Sequence, residues 1–486
     1  MSKKKKKLDL SGYEDRAALC PHFDVCGGCT LQRISYEKQL KMKAEEVTAL
    51  LEDPPFEGII PSPSEEGYRN KMEFTFGDVC KGGEFALGLH MRGSFMNIVN
   101  ITDCHLVHED INAVRNTVRD FFNEYYINGQ ITFHNNKTHK GYLRHLLIRR
   151  AAATGEILVA LVTSSDYPGT ANDLSRQSAD MAEKSTLGQN AMAEGAVTVD
   201  SRDEAAGEMY ARTENEKCEC DVCGEQTEAE EKVLEKLMKR LLSLSLKGQI
   251  TGILHIINDG LSDTVRSDRT DILYGRDYIY DDVLGLRFKI SVFSFFQTNT
   301  FGAERLYSKA REYAAGAKGL LFDLYSGTGT IAQLMSVAVD NVIGVEIVSE
   351  AVDAARENAE LNGITNARFV ADDVLKALDT LPKPDSIILD PPREGINPKA
   401  LGKILSYGVD NIVYVSCKPS SLARDLQSFK LAGYQIEKSC CVDMFPQTQH
   451  VETVCLLSNR KPDTKVKIDV DLEDYYRIKD SKKIQD

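Results

Sequence analysis

Two residues near the end of the chain have the types and surroundings needed for covalent catalysis. Cys417 follows the apolar run 411–416, and the cation of Lys418 beside it can lower the pKa of the thiol from about 8.5 and favour the nucleophilic thiolate. Glu452 stands at the start of the last apolar run, where a carboxylate can remove a proton. The alternatives are that Cys417 is a buried packing residue and that Glu452 is a solvated acid at a strand end.

The elements that must position these residues have the pattern of a doubly wound α/β unit. An apolar run ends at Asp323, a turn containing Gly327 and Gly329 follows, and a helix-like run begins at Thr330. The next apolar run ends at Glu346, about 20 residues beyond the turn, where such folds place an acid on ribose hydroxyls. One glycine turn leaves two cofactors open, a dinucleotide and S-adenosylmethionine.

The string Asp390-Pro-Pro-Arg393 favours S-adenosylmethionine. Two prolines after a strand-end carboxylate fix backbone carbonyls at the mouth of the sheet, where a planar base can be held. Amino-methylating enzymes commonly follow the prolines with an aromatic residue, but here Arg393 follows and Cys417 lies at the next strand end. A thiolate suits uracil, because C5 of uracil becomes nucleophilic only after a thiolate has added to C6, and a base must then remove the C5 proton.

Together these strings resemble those of the S-adenosylmethionine-dependent RNA uracil-5-methyltransferases, of the type that modifies 23S ribosomal RNA. The resemblance covers residues 290–458, and the strings in order are Phe295-Phe296-Gln297-Thr-Asn299, Asp323-Leu-Tyr-Ser-Gly-Thr-Gly329, Gly344-Val-Glu346, Asp390-Pro-Pro-Arg393, Ser416-Cys417-Lys-Pro419 and His450-Val-Glu452-Thr. It implies that Cys417 is the nucleophile and Glu452 the proton acceptor. It also implies that the cofactor is contacted by Gln297, Tyr325, Glu346 and Asp390.

A second group of thiols lies near the N-terminus. Cys20, Cys26 and Cys29 have the spacing C-x5-C-x2-C, with two glycines between the last pair that let the loop turn tightly around one metal centre. Cys104 is the most plausible fourth ligand. Four cysteines fit either zinc or an iron-sulfur cluster, and the spacing does not decide between them. The resemblance implies a [4Fe-4S] cluster, because the ribosomal-RNA branch of the family carries one on matching cysteines.

The formal net charge of −14 is unexpected for a protein that binds phosphates. Residues 171–230 contain 15 acidic and 5 basic residues, so this stretch contributes −10 and the rest of the chain −4. Its composition, rich in Ala, Ser, Gly and Glu, predicts a disordered insertion. Within it Cys218, Cys220 and Cys223 form a C-x-C-x2-C string that either binds a metal or has no function.

The cysteine content also bears on location. Twelve cysteines without a signal peptide or an apolar stretch of about 18 residues predict a reduced, cytoplasmic compartment and no membrane association. The lysine run at 3–7 is either a mobile arm that touches RNA or an aid to solubility. We also expect a monomer.

The predicted architecture is α/β. A Rossmann-like methyltransferase domain with a doubly wound, mainly parallel sheet accompanies an N-terminal iron-sulfur segment and an antiparallel β-rich central domain. Residues 66–166 have the short alternating runs of antiparallel strands, and the cations and aromatic residues at 68–71 and 143–150 suit RNA binding, although a solvated sheet face is the alternative. An amphipathic helix is predicted at 231–245. The predicted order is a basic arm at 1–19, a cysteine segment and helix at 20–65, a central RNA-binding domain at 66–290 containing the insertion, the methyltransferase domain at 291–460 and a charged tail at 461–486.

Two other functions stay open on the sequence. A transfer-RNA uracil methyltransferase would use the same chemistry, but those relatives generally lack the cysteine quartet. A non-catalytic RNA-binding or redox protein could keep the fold, but it would not need both Cys417 and Glu452. Many relatives also begin with a small β-barrel module of about 60 residues, whereas only 19 residues precede Cys20 here, so the target of a longer relative does not transfer directly.

Overall fold

The computed structural model describes residue 10 and residues 12–168, 221–262 and 264–459 of the 486-residue chain. Half of the predicted basic arm, most of the acidic insertion and the C-terminal tail therefore lie outside the described residues. The same holds for Cys218 and Cys220, whereas Cys223 lies within a described helix. Among the helices that the structure describes, none combines the length and the apolar character that spanning a bilayer requires.

The described chain forms two large sheets and one hairpin. In the first part of the chain the elements are α1 (Tyr36–Leu50), β1 (Phe56–Ile60), β2 (Lys71–Asp78), β3 (Phe85–His90), β4 (Ile98–Val99), α2 (Glu109–Ile127), β5 (Leu143–Arg150), β6 (Glu156–Thr163), α3 (Asp221–Leu242), β7 (Gln249–Ile257), β8 (Arg269–Gly275), β9 (Tyr278–Val283) and β10 (Leu286–Ser291). In the second part they are α4 (Thr300–Tyr313), β11 (Leu320–Leu324), α5 (Thr330–Met335), β12 (Asn341–Glu346), α6 (Ser349–Leu361), β13 (Ala367–Ala371), α7 (Val374–Thr380), β14 (Ser386–Leu389), α8 (Pro398–Ser406), β15 (Asn411–Ser416), α9 (Pro419–Leu431), β16 (Tyr434–Val442) and β17 (Glu452–Asn459).

The larger sheet has eight strands in the order β1-β16-β17-β15-β14-β11-β12-β13. The strands from β15 to β13 are parallel, and β17 runs antiparallel between β15 and β16. Short apolar strands such as β11, whose Leu321, Phe322 and Leu324 are buried, suit a parallel sheet covered on both faces. The chain order reverses between β11 and β14, which is where doubly wound sheets open a crevice for ligands.

The second sheet has seven strands in the order β4-β3-β2-β5-β6-β7-β8. β2 has alternating buried residues, Met72, Phe74 and Phe76, as expected for a sheet that packs one face against a core. The pairs from β4 to β6 and the pair β7–β8 are antiparallel, in agreement with the alternating sequence, but β6 and β7 are parallel. Helix α3 begins at Asp221, whereas the sequence pattern predicted its start at residue 231.

The N-terminal segment also joins the larger sheet. β1 pairs in parallel with β16, and Val47 of α1 and Leu51 directly after it belong to the same buried apolar cluster as Phe322 of β11. Residues 36–60, predicted to accompany the cysteines, are therefore built into the sheet that carries Cys417 and Glu452. The same face of α1 contains a buried lysine, Lys43.

Candidate active site

The turn after β11 is shaped by residues with positive φ angles. Gly329 has φ +72°, and a Cβ atom there would lie 2.5 Å from the ring of Phe369, so only glycine fits. Tyr325 also has a positive φ, +68°, and its backbone N–H donates to the carbonyl of Val345 on the neighbouring strand. The turn is therefore held tightly at the end of β11, with Tyr325 directed into the crevice.

Glu346 at the end of β12 is fixed by the same turn. Its Oε2 accepts a hydrogen bond of 3.0 Å from the backbone N–H of Gly327, and its Oε1 accepts from the N–H groups of Ile347 and Val348. A carboxylate has about four lone-pair sites, so Glu346 keeps acceptor capacity for hydroxyl groups of a ligand. This geometry suits the predicted role of a ribose ligand.

Cys417 and Glu452 lie at the same end of one strand pair. β15 and β17 are antiparallel, and Ser416 at the end of β15 pairs with Thr453 in β17. Cys417 follows Ser416 and Glu452 precedes Thr453, so both lie where this ladder ends. Two residues that are 35 positions apart in the sequence are thus neighbours at one edge of the sheet.

All six predicted catalytic and cofactor residues line one cavity. Its volume is about 1560 Å³, and it lies at the crevice between β11 and β14. The cavity is bounded on the other side by the turn before α4, by the β9–β10 hairpin and by residues of β2. The six are Gln297, Tyr325, Glu346, Asp390, Cys417 and Glu452.

Three ionisable groups of the cavity have pKa values above their ordinary range. Burial raises the pKa of Glu452 to about 8, the charge of Asp390 adds to the rise, and Arg393 opposes it. Burial likewise raises the pKa of Asp390 to about 7. The pKa of the Cys417 thiol is raised to about 11, first by burial and then by Glu452 and Asp390. A positive charge brought into this cavity would favour the ionised form of all three groups.

The cation that the structure brings to the Cys417 thiol is Arg393, which the sequence analysis did not assign to this role, and the effect expected of Lys418 stays a prediction. Arg393 lowers the pKa of Cys417 through its charge and a side-chain hydrogen bond. Lys418 is adjacent in sequence, but it is the N-cap residue of α9, whereas Arg393 lines the cavity. The loop after β14 therefore supplies both the acid Asp390 and the guanidinium that faces the nucleophile.

Tyr307 is a residue of the cavity that the sequence analysis missed. It lies on the buried face of α4 and lines the cavity, where its hydroxyl interacts with the side chain of Gln297. Burial raises the pKa of its phenol, and the charges of Asp390 and Glu452 raise it further. A tyrosine among the apolar helical positions 303, 306 and 310 was the available signal, because a buried phenol needs a polar partner.

A third buried acid lies close to Asp390 and Glu346. Asp323 is fully buried, and its pKa is raised to about 8, mainly by burial and then by Asp390. Its Oδ2 accepts from the N–H of Ala332, while its Oδ1 has no hydrogen-bond partner among the described residues. Buried carboxylates around one cavity fit a cationic ligand. S-adenosylmethionine carries such a charge on its sulfonium and ammonium groups, so these residues fit this cofactor.

The four N-terminal cysteines lie near one another beside the cavity. Cys26 and Cys104 are buried, Cys20 and Cys29 are half-buried, and all four are free thiols. Burial raises the pKa of Cys29 to about 12, and the charges of the other three thiols add to this rise. Among the described residues, however, no group of three or more His, Cys, Asp or Glu side chains is arranged to hold a metal ion. The donor types fit a four-thiolate centre, but the arrangement of the side chains does not form one.

Most of the cations predicted to contact RNA in the central sheet are structural. Arg144 and Arg149 are each 2% exposed, and His145 is equally buried. The guanidinium of Arg144 donates to the carbonyls of Asn258, Gly260 and Ser262 in the loop before β8. Arg149 likewise binds carbonyls in the segment that leads to Gln297. These arginines therefore cannot reach a phosphate backbone.

Known proteins resemble this chain over most of its length. Residues 260–460 match the family model of the tRNA (uracil-5-)-methyltransferases. The chain is 42% identical over 448 residues to an uncharacterized RNA methyltransferase of Clostridium acetobutylicum, with 91% of this chain and 84% of that protein covered. It is 34% identical over 465 residues to another from Bacteroides thetaiotaomicron, with 91% and 87% covered.

A solved structure has the same overall arrangement. The chain is similar to the tRNA (uracil-54, C5)-methyltransferase of Pyrococcus abyssi in complex with S-adenosyl-L-homocysteine, with 25% identity and a TM-score of 0.61. The match covers 89% of this chain and 86% of that one. A match of this extent is larger than the eight-stranded sheet and its helices alone.

Proposed function

The chain belongs to the tRNA (uracil-5-)-methyltransferase family and is an S-adenosylmethionine-dependent RNA methyltransferase, and we propose that it methylates C5 of uridine in 23S ribosomal RNA through a covalent adduct on Cys417. The observation that carries this proposal is that Cys417, directly after β15, and Glu452, the first residue of β17, line one cavity. A pyrimidine bound in this cavity would meet both a nucleophile and a base.

The chain's residues would act in a fixed order. The sulfur of Cys417 adds to C6 of the uracil and forms a C–S bond, which makes C5 an enolate carbon. S-adenosylmethionine supplies the methyl group that C5 accepts. Glu452 then takes the C5 proton, the C5–C6 double bond re-forms, and the C–S bond breaks to release Cys417. Arg393 favours the thiolate at the first step, because its positive charge lies beside the sulfur.

Four residues would hold the cofactor. Glu346 is placed to accept hydrogen bonds from ribose hydroxyls, and Asp390 presents a buried carboxylate to the positive charge. Gln297 and Tyr325 line the same cavity from opposite sides of the crevice. Since all these residues and the catalytic pair belong to one chain, we propose that the enzyme acts as a monomer. We also propose a cytoplasmic location, because its many cysteines suit a reduced compartment.

Substitution of the base tests the covalent mechanism. With Glu452→Gln, the C5 proton cannot be removed, so the thioether between Cys417 and methylated RNA should persist through denaturing electrophoresis. The double variant Glu452→Gln/Cys417→Ser is the matched control and should give no adduct. If Glu452→Gln binds RNA and cofactor but gives no shifted band, the assignment of the base is wrong.

We propose ribosomal RNA as the substrate because of the cysteine quartet, and transfer RNA is the second candidate because the similar solved structure is a transfer-RNA enzyme. Mass spectrometry of both RNA pools, from cells with and without the protein, separates the two. Loss of 5-methyluridine from large-subunit ribosomal RNA would support the first candidate. Loss confined to transfer RNA would support the second, and unchanged RNA in both pools would contradict the methylation of either.

We further propose that Cys20, Cys26, Cys29 and Cys104 hold a [4Fe-4S] cluster with a structural role. Support comes from the cysteine spacing and its resemblance to the ribosomal-RNA branch of the family, whereas the described side chains are not arranged as a metal site. Protein purified without oxygen should contain about four irons and four sulfides per chain and absorb visible light. Cys26→Ser should lose the iron, whereas Cys80→Ser, at an exposed cysteine, should retain it. Equal iron content in both variants would overturn this assignment.

A further inference from the structure

The loop between β16 and β17, residues 443–451 and here termed the β16–β17 loop, is held from four directions. Four consecutive backbone carbonyls, those of residues 444–447, each accept a hydrogen bond from a different part of the chain. The donors are the amide of Asn299, the ammonium of Lys43, the hydroxyl of Tyr68 and the backbone N–H groups of Thr30 and Leu31, at 2.9 to 3.2 Å. These donors lie before α4, in α1, before β2 and directly after Cys29. The β16–β17 loop thus connects the cysteine segment, the central sheet and the catalytic sheet.

The same loop forms a wall of the active site. Its residues Phe445, Thr448 and His450 line the cavity, and it leads directly into Glu452, the first residue of β17. Val442, the last residue of β16, pairs with Glu452 and closes the base of the loop. The path of the loop between these two points therefore determines where the residues before the base lie and how Glu452 enters the cavity.

Gln447 is the fixed point of the β16–β17 loop. It is 1% exposed and has φ +68°, a conformation that residues other than glycine adopt only when their surroundings impose it. It forms a reciprocal pair with Gln39 of α1, because its N–H donates to Oε1 of Gln39 and its own Oε1 accepts from Nε2 of Gln39, both at 2.9 Å. Arg16 also donates to this Oε1 at 3.0 Å.

We propose that Gln447 is a positioning residue for the removal of the C5 proton. Its side chain holds the β16–β17 loop so that Glu452 reaches the substrate. This inference rests on the proposed function, because it assigns Gln447 to one step of that reaction. Gln447 does not line the cavity and touches neither nucleophile nor base; it acts through the loop that precedes Glu452. Loss of its amide should therefore slow the step that needs Glu452 more than the step that needs only Cys417.

The variant Gln447→Gly tests the role of this side chain. Glycine adopts the left-handed backbone conformation at this position, so only the amide side chain is lost. The full-length protein is incubated with S-adenosylmethionine and total RNA from cells that lack it, and two products are measured. One is the covalent protein–RNA adduct after denaturation, and the other is 5-methyluridine in released RNA. We expect the ratio of adduct to released product to rise on the order of tenfold over the parent, since small displacements of a catalytic group slow its step strongly.

Two further variants keep the test decisive. His139→Gly replaces an exposed residue with the same left-handed conformation and should leave the ratio at the parental value. Gln39→Leu removes the partner of Gln447 from the other side and should raise the ratio even if Gln447→Gly does not fold.

A merely structural role would lower adduct and product in proportion. A parental ratio in both glutamine variants, while Glu452→Gln still traps adduct, would overturn the inference and leave the proposed function intact. Absence of adduct with Glu452→Gln itself would instead overturn the proposed chemistry.

Discussion

Lys43 and Asp443 form a buried ion pair whose disruption should strongly destabilise the protein. The ammonium of Lys43 lies 2.7 Å from Oδ1 of Asp443, and the two side chains are 2% and 0% exposed. Lys43 also donates to the carbonyl of Phe445 at 3.2 Å. Burial lowers the pKa of Lys43, and Asp443 opposes this effect. The pair joins α1 to the β16–β17 loop, so it ties the N-terminal segment to the catalytic sheet.

Replacement of one partner leaves the other charge buried without compensation. Lys43→Met should therefore lower the free energy of unfolding by about 3–5 kcal/mol. Asp443→Leu should have an effect of similar size, because it leaves the ammonium with a backbone carbonyl alone. The double variant Lys43→Met/Asp443→Leu should lose less free energy of unfolding than either single variant. Apolar residues often replace a buried ion pair with little loss of stability.

Urea unfolding followed by circular dichroism measures these differences. The matched control is Lys41→Met, two residues earlier on α1, where the lysine is 75% exposed and lies 3.9 Å from Glu45. We expect this control to change the free energy of unfolding by no more than about 0.5 kcal/mol. If the losses of Lys43→Met and Asp443→Leu add in the double variant, the two charges do not compensate each other, and the reasoning from their burial fails.

Three further outcomes follow from the active site. Arg393→Gln should raise the pKa of Cys417 and slow its alkylation by iodoacetamide at pH 8, and an unchanged rate would contradict the role of this cation. The carboxyl of Glu452 has a folded pKa of about 8, above its ordinary 4.5, so its ionisation destabilises the fold increasingly between these pH values. Glu452→Gln should therefore raise the melting temperature at pH 8 and not at pH 4.5, and equal shifts would refute this. Gly329→Ala should abolish cofactor binding by calorimetry, because its Cβ would meet Phe369; parental affinity would contradict it.

Local patterns in the sequence predict the strands that position the site. The apolar runs at Asp323, Glu346 and Asp390 form β11, which contains Asp323, β12, which ends at Glu346, and β14, which ends directly before Asp390. The ends of these strands meet at one crevice, as the doubly wound pattern predicts. The side-chain types alone, a thiol at 417 and a carboxylate at 452, indicated which chemistry each residue could perform. The single cavity that contains all six predicted residues is consistent with that interpretation, and their individual roles stay predictions.

Contacts between distant segments cannot be read from the spacing of residues along the chain. Lys418 is adjacent to the thiol in sequence, but the cation that the sequence did not point to is Arg393, which the loop after β14 brings to the sulfur. The cations and aromatic residues at 143–150 suited RNA binding or a solvated sheet face, but Arg144 is buried against three carbonyls. Neither outcome is determined by the spacing of residues along the chain.

The contacts of the β16–β17 loop show why the catalytic sheet and the N-terminal segment form one functional unit. The base Glu452 belongs to the last strand of the sheet, but the loop before it is fixed by donors from the first third of the chain, among them Thr30 directly after Cys29 and Lys43 in α1. The register of the sheet is set by backbone pairing, whereas the loop that leads into the base is held by these donors. The cysteine segment therefore contributes to the active site through hydrogen bonds to the β16–β17 loop, without contacting the reacting atoms.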